Sequence, residues 1–273
     1  MRLTWTLPMR AARRLFVTEP RRYLLRKRLR GILGAAQDLE PLPKRMLVIA
    51  PHPDDEVLAV GGLIALARAA GCEVSVLLLT RGECSHCGCC TTPPSVIGLE
   101  RRKLADHANA ILGVESGLIS CAELPDRNIP GPSAAAFAGA ANELSGLVAK
   151  CAPQWVVYPH PLDTHADHAA AAHLCQEAIR LAGLRCLELH YLVWGWYRLP
   201  TSDLMRLDAA QARRVDVSAV SHLKRAAILA YFEIHPPACR HSWSGPAPGG
   251  FLTPFKTNHE LLFVQSTLRA RQQ

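Results

Sequence analysis

Two short stretches of this 273-residue chain concentrate groups that can bind a metal or move a proton. In VIAPHPDDE (residues 48–56) an apolar run ends in one histidine and three acids. In VVYPHPLDTHADH (residues 156–168) an apolar run again leads into polar residues, with His165 and His168 three apart and Asp167 between them. Taken alone, Pro53, Asp54, Asp55 and Glu56 suit a helix start, because proline fits the first position and acids face the positive end of the dipole. Taken together, the two stretches can do more. One histidine and one acid from the first, with a histidine from the second, make two imidazoles and one carboxylate. That is a three-ligand catalytic zinc set with a position left for water. Asp54 and Asp55 are neighbours whose side chains leave the backbone in different directions. One can therefore bind metal while the other takes a proton from water that the metal has acidified. His165 is left to stabilise an oxyanion or to protonate a leaving amine.

The elements around these stretches place them at one edge. MLVIA (46–50) reads as a buried parallel strand and is followed by a helix over 56–71. CEVSVLLLT (72–80) is a second strand, followed by a long polar loop and a helix over 99–113. A short strand is expected at 117–124 and a helix at 134–151. WVVYPH (155–160) is a strand that feeds a helix over 165–183, with Asp163 or Thr164 able to cap it. A strand region follows at 187–200, then a helix at 218–232 and a last strand at 259–265. Strands alternating with helices predict an α/β fold, a Rossmann-like, mostly parallel sheet with helices on both faces. Ligands of such sheets sit at the carboxyl ends of the strands, where both stretches lie. No Gly-x-Gly-x-x-Gly joins the first strand and helix, which disfavours a nicotinamide or flavin cofactor.

The net charge of +8 belongs to one end. Residues 1–30 carry ten Arg or Lys against one acid, so the remainder sums to about −1. A nucleic-acid partner is not expected, since its basic patch would lie on the folded body. Residues 1–45 are read as a basic arm and linker, and 46–273 as the catalytic domain. The arm, RRLFVTEPRRYLLRKRLRGIL, alternates arginines with apolar residues. It suits either an interfacial helix on anionic lipid or a docked helix at the terminus. No stretch of about 18 apolar residues is found, so no membrane span is expected. The first sixteen residues show no secretory signal pattern. Six scattered cysteines read as buried thiols in a reducing compartment, giving a cytoplasmic expectation, with the arm at the inner face of the membrane.

At this point the residues resemble the LmbE-like, or PIG-L, de-N-acetylases. Pro51-His52-Pro53-Asp54-Asp55-Glu56 matches the family's first motif and His165-Ala166-Asp167-His168 its second. Thr80-Arg81-Gly82-Glu83 matches a third feature, and the resemblance spans roughly residues 46–265. It implies that His52, Asp55 and His168 bind zinc, with ferrous iron as the other metal this ligand set accepts. It implies that Asp54 is the general base, that His165 stabilises or protonates the intermediate, and that Asp167 holds or tunes His165. Glu56 is read as structural. The implied reaction removes an N-acetyl group from an N-acetylglucosamine-type amino sugar, free or lipid-linked. Two departures point to a non-standard substrate pocket. Leu104 stands where an acid is common after Arg101, and a Ser-Gln pair is missing around residues 233–235.

Arg101, Asp126 and Trp196 are the candidates for substrate contact, with Trp194 and Tyr197 as further aromatics able to stack on a sugar. CSHCGCC (84–90) could hold a second, structural zinc through Cys84, Cys87, His86 and Cys89 or Cys90, but its usual distant second pair is missing. Disulfides or free thiols are the plainer reading there. Competing functions are a deacylase of a non-sugar metabolite or antibiotic precursor and a non-haem iron oxygenase with the same two-His-one-carboxylate set. A third is a degraded enzyme domain recruited to a membrane. The pattern does not specify an oligomeric state.

Overall fold

The computed structural model describes residues 19–236 and 239–265. In chain order the elements are α1 (Glu19–Ala35), β1 (Gln37–Asp38), β2 (Arg45–Ala50), α2 (Asp55–Ala69), β3 (Glu73–Leu78), α3 (Pro94–Ile111) and β4 (Ile119–Cys121). They continue with α4 (Phe137–Cys151), β5 (Trp155–Pro159), α5 (Ala166–Leu181), β6 (Leu187–Tyr191) and the short helices α6 (Gly195–Arg198) and α7 (Thr201–Arg206). β7 (Ala212–Asp216), α8 (Ser221–Phe232) and β8 (His259–Val264) complete the set.

The strands form one sheet in the order β1-β7-β8-β6-β5-β2-β3-β4. β8 runs antiparallel to β6 and β7, and all other pairings are parallel, as the alternation of elements predicts. Successive residues of β2 face opposite sides. Met46, Val48 and Ala50 pack with α1, α2, α3 and α8, while Leu47 and Ile49 pack with α4 and α5. Both faces of the sheet are therefore covered, which is why β2 and β5 read as continuous apolar runs.

From β2 the chain steps outward to β3 and β4, then returns to lay β5 on the other side of β2. The crevice where the winding reverses lies at the carboxyl ends of β2 and β5, the place where such sheets take their ligands.

Residues 31–45 are not the expected linker. α1 continues to Ala35, and β1 adds to the sheet through Gln37↔Arg213 and Asp38↔Arg214. Leu25, Leu29 and Ile32 lie on one helical stripe and are buried in the same core as β2. The apolar residues between the arginines are the docking stripe of a core helix, so no boundary at residue 45 separates two bodies among the described residues. The arm's residues 1–18 lie outside the described residues.

β7, ARRVD, is a strand that periodicity does not reveal. Two arginines and an aspartate half-expose it, and its pairing with β8 and β1 makes it a strand. The expected strand region 187–200 stops at Tyr191, because the Asp163 carboxylate accepts the backbone N–H groups of Val193, Trp194 and Gly195 and turns the chain.

Candidate active site

His52 and Asp54 lie in the loop from β2 into α2 and Asp55 opens α2, while Asp163 and His165 lie in the loop from β5 into α5 and Asp167 and His168 stand in the first turn of α5. The two loops meet. Asp55 Oδ2 lies 3.2 Å from His52 Nδ1 and 3.2 Å from His168 Nε2. The second nitrogen of each imidazole is held by carboxylates. His168 Nδ1 is 2.8 Å from Asp163 Oδ2, and His52 Nε2 is 3.0 Å from Asp167 Oδ2 and 3.3 Å from Asp126 Oδ1. Carboxylate-backed histidines with their other nitrogens converging are the usual dress of metal ligands, because the carboxylate sets the tautomer and the ring orientation.

The donor set fits a metal. His168 Nε2 is fully buried and has no aligned hydrogen-bond partner, although it faces Asp55. Burial opposes charge on both rings, yet the surrounding acids outweigh it. His168 is raised to about 9 by Asp55 and Asp163, and His52 rises well above its ordinary value through Asp126, Asp167 and Asp55. Burial likewise pushes Asp55 up, but His168 and His52 hold it far below the usual carboxylate range. The pocket thus stabilises positive charge between these side chains, which a cation also supplies. His52, His165 and His168 further bring one ring nitrogen each within 4.8 Å of one another.

Asp54 stands beside this set in a separate environment. Its backbone φ of 116° is in the left-handed region, a strained conformation for a residue with a Cβ and one that concentrates at functional sites. Burial raises its carboxyl to about 6, against the opposing pull of Arg101. Arg101 Nη2 donates to Asp54 Oδ2 at 3.0 Å and to Pro53 O, and Nη1 donates to Gly82 O at 2.9 Å. Gly82 has φ 65°, and a Cβ there would collide with the Arg101 guanidinium, which explains the glycine of the Thr-x-Gly-Glu feature.

His165 is the N-cap of α5, in place of the expected Asp163 or Thr164. Its Nδ1 accepts the Asp167 N–H at 3.3 Å, while Asp163 is occupied by His168 and the amides of 193–195. This hydrogen bond assigns the ring proton to Nε2. Burial, then the charges of His168 and His52, lower His165 to about 4, so it is neutral at pH 7.

Several expectations are corrected. The Asp167 carboxylate does not hold His165. It reaches His52 and accepts from the N–H groups of Arg127 (2.8 Å) and Ile129 (3.3 Å); only its own backbone N–H serves His165. Trp196 is not at the site, being 8% exposed in the main core because α6 turns it inward. Trp194 takes the place, stacked on His165 with ring centroids 5.9 Å apart and covered by the Arg198 guanidinium at 4.5 Å. Arg101 and Asp126 do border the cavity, but as partners of Asp54 and His52. Glu56 is wholly buried, as its structural reading requires. It accepts from Asn109 Nδ2 (3.0 Å), Tyr231 OH (2.7 Å) and Asp54 N (3.0 Å), a network that pins the first turn of α2.

The cavity over these residues encloses about 320 Å³ and is bordered by His52, Asp54, His165, Trp194 and Phe251. Residues 47–179 match the family profile described as "PIG-L: GlcNAc-PI de-N-acetylase". The chain belongs to the PIG-L, or LmbE-like, family.

The chain is 32% identical over 148 residues to a diacetylchitobiose deacetylase of Thermococcus kodakarensis, covering 52% of this chain and 51% of that one. It thus spans about half the length of that curated relative. A solved conserved protein of Thermus thermophilus is 30% identical, with TM-score 0.53, covering 70% of this chain and 79% of that one. The N,N'-diacetylchitobiose deacetylase of Pyrococcus horikoshii superposes with TM-score 0.61 over 96% of this chain and 94% of that one, at 18% identity, a likeness that shows the shared fold.

Asp163, Asn109 and Tyr231 take part in the PIG-L site or its support, yet they carried little or no signal in the sequence. Asp163 read only as a cap, and Asn109 and Tyr231 lie on α3 and α8, far from either motif.

Proposed function

We propose that the chain is a metal-dependent hydrolase that removes the acetyl group from an N-acetylglucosamine-type amino sugar. The observation that carries this reading is Asp55 Oδ2, flanked by His52 Nδ1 and His168 Nε2, with the separate carboxylate of Asp54 on the same cavity. His52, Asp55 and His168 hold the metal, and zinc suits two imidazoles and a carboxylate. When bound, the metal supplies a Lewis acid that acidifies water and polarises the acetyl carbonyl.

The chain's own groups do the remaining work. Asp54, near its half-ionised point at about 6, takes the proton as water adds to the carbonyl carbon. His165, neutral with its proton on Nε2, donates a hydrogen bond to the carbonyl oxygen as negative charge grows there. As the C–N bond breaks, the proton held by Asp54 passes to the amine, and acetate and the free amino sugar leave. Trp194 and Phe251, with rings 4.8 Å apart, form an apolar wall for a sugar face.

Support for the amino sugar comes from the deacetylase names of the relatives and from the family description. The test is metal content and acetate release over a panel of N-acetylglucosaminyl compounds, for wild type and Asp54→Asn. Metal in both with acetate from the wild type alone is expected. Equal acetate release by Asp54→Asn would overturn the role of Asp54, and metal-free active enzyme would overturn the whole reading.

The substrate's carrier is an anionic or lipid-linked group at the inner face of a membrane. Arg127 and Arg198 border the cavity, and α1 exposes Tyr23 (66%) and Leu24 (62%) beside its arginines. Among the described residues no helix is long and apolar enough to cross a membrane, so the contact is peripheral. Because α1 is part of the core, the test substitutes Tyr23→Ser and Leu24→Ser and measures sedimentation with vesicles containing phosphatidylserine. Binding that the double variant leaves unchanged would sink this part.

A further inference from the structure

The loop after β3 and the loop after α8 meet above the cavity. Ser85 Oγ donates to Trp243 O at 3.1 Å, and Gly245, at φ 85°, lies so close to the Ser85 carbonyl that a Cβ could not be accommodated. Where the loops join, His86 Nδ1 lies 3.2 Å from Cys89 Sγ, 3.7 Å from Cys90 Sγ and 3.5 Å from Cys239 Sγ. Cys89 Sγ and Cys239 Sγ are 3.9 Å apart, and all four ligand atoms lie within 4.8 Å of one another. His86 is 1% exposed.

Hydrogen bonding does not account for this grouping. An imidazole Nδ1 carries one proton or one lone pair, so it can serve one neighbour well, not three sulfurs. A disulfide does not account for it either, since sulfurs in such a bond are about 2.0 Å apart. The spacing is that of a tetrahedron around a cation. With Zn–S of about 2.3 Å and Zn–N of about 2.0 Å, tetrahedral angles put sulfur about 3.8 Å from sulfur and about 3.5 Å from nitrogen. The distant ligand that the sequence CSHCGCC lacks is Cys239, 149 residues beyond Cys90 in the chain and adjacent to it in space. Cys84 and Cys87 stay outside. Cys84 N donates to Asp126 Oδ2 at 2.7 Å, and Cys87 is exposed beside the cavity.

We propose that His86, Cys89, Cys90 and Cys239 form a structural zinc site, separate from the active site, that clamps the loop after β3 to the loop after α8 and so shapes the mouth of the cavity. Four protein ligands close the coordination sphere and leave no position for water, which marks a structural site. Each bound thiol gives up its proton to solvent as the metal binds. Ser85 and Cys87 on one loop, and Ser244, Pro246 and Ala247 on the other, border the cavity, so the clamp sets where its two walls stand.

The site is tested with cobalt(II) in place of zinc on the full chain, because thiolate ligands produce an intense near-ultraviolet charge-transfer band that the active-site residues cannot. The band is expected in wild type and in His168→Ala, and is expected to be lost in a Cys89→Ser/Cys239→Ser variant. No band in folded wild-type protein overturns the proposal, as does a band that survives in the double variant. Alkylation of wild-type protein with iodoacetamide, before and after chelation, avoids any folding defect of the variant. Chelator-dependent labelling of Cys89, Cys90 and Cys239, with Cys87 labelled throughout, is expected. Labelling indifferent to chelator, or recovery of a Cys89–Cys239 disulfide peptide, overturns the proposal. These readouts are independent of turnover, so a failure of the deacetylase reading would not affect them.

Discussion

Arg101 Nη2 donates to Asp54 Oδ2 at 3.0 Å, with both side chains buried, and this pair links α3 to the proposed base. The same guanidinium donates to Gly82 O and Pro53 O, so it fixes the backbone that holds Asp54 at its strained φ. Asp54→Asn keeps the shape and removes the base, and a fall in kcat of about 10²–10⁴ is expected with metal content unchanged. Arg101→Leu leaves a buried carboxylate unpaired, so it should lower both kcat and thermal stability, whereas Asp54→Asn lowers kcat alone. Acetate-release kinetics and thermal melts on the two variants check this contrast.

Asp163 is the hidden support of His168. It accepts from the His168 ring and from the amides of residues 164 and 193–195. Asp163→Asn should weaken metal affinity about 10–100-fold, the usual cost of losing a carboxylate behind a ligating histidine. Competition against a graded chelator gives the affinity. An unchanged affinity would show that Asp163 serves the turn at 193–195 and not the metal.

Trp194 and Trp196 are two residues apart and differ in environment. Trp194→Ala removes a cavity wall, and stacking of about 0.5–1.5 kcal/mol corresponds to a rise in KM of about 2–10-fold with a minor change in Tm. Trp196→Ala empties a core position and should cost about 3–5 kcal/mol in denaturant unfolding. If Trp196→Ala raised KM and left stability intact, the placement of the two rings would be wrong.

His160 makes the fold sensitive to acid. Burial, then the charge of His190, lowers it to about 3, while in an unfolded chain it titrates near 6.5. Between those values the unfolded chain binds more protons, so the stability present above pH 6.5 is lost as pH falls toward 3. Its ring faces His190 at 5.5 Å and Phe263 at 5.3 Å, and Asp163, which opposes the shift, is the nearby acid. Thermal melts from pH 7 to pH 4 should show a falling Tm, with a shallower slope in His160→Gln. Equal slopes would place the acid-sensitive group elsewhere.

Local features were legible in the order of the residues. MLVIA and WVVYPH are short apolar runs of strand length, and α2 and α5 are longer stretches closed by Gly71 and Gly183, so the mostly parallel sheet was legible. Each motif sits at a strand end for local reasons, a strand stopping and a helix starting within a few residues, and this placed His52, Asp54, Asp55, His165 and His168. Long-range packing supplied what local pattern does not encode. The arginine-rich segment hides the three-residue stripe Leu25, Leu29 and Ile32, and only the presence of a core beside it shows that α1 belongs to the body. ARRVD becomes a strand because β8 and β1 pair with it. Asp167 turned to His52 instead of His165, and Trp194 replaced Trp196 at the cavity, because side-chain direction follows the packing of α5 and α6. Cys239 joins His86 for the same reason. Residues more than a hundred positions apart meet only when the sheet brings their loops together, and no spacing within either loop records that meeting.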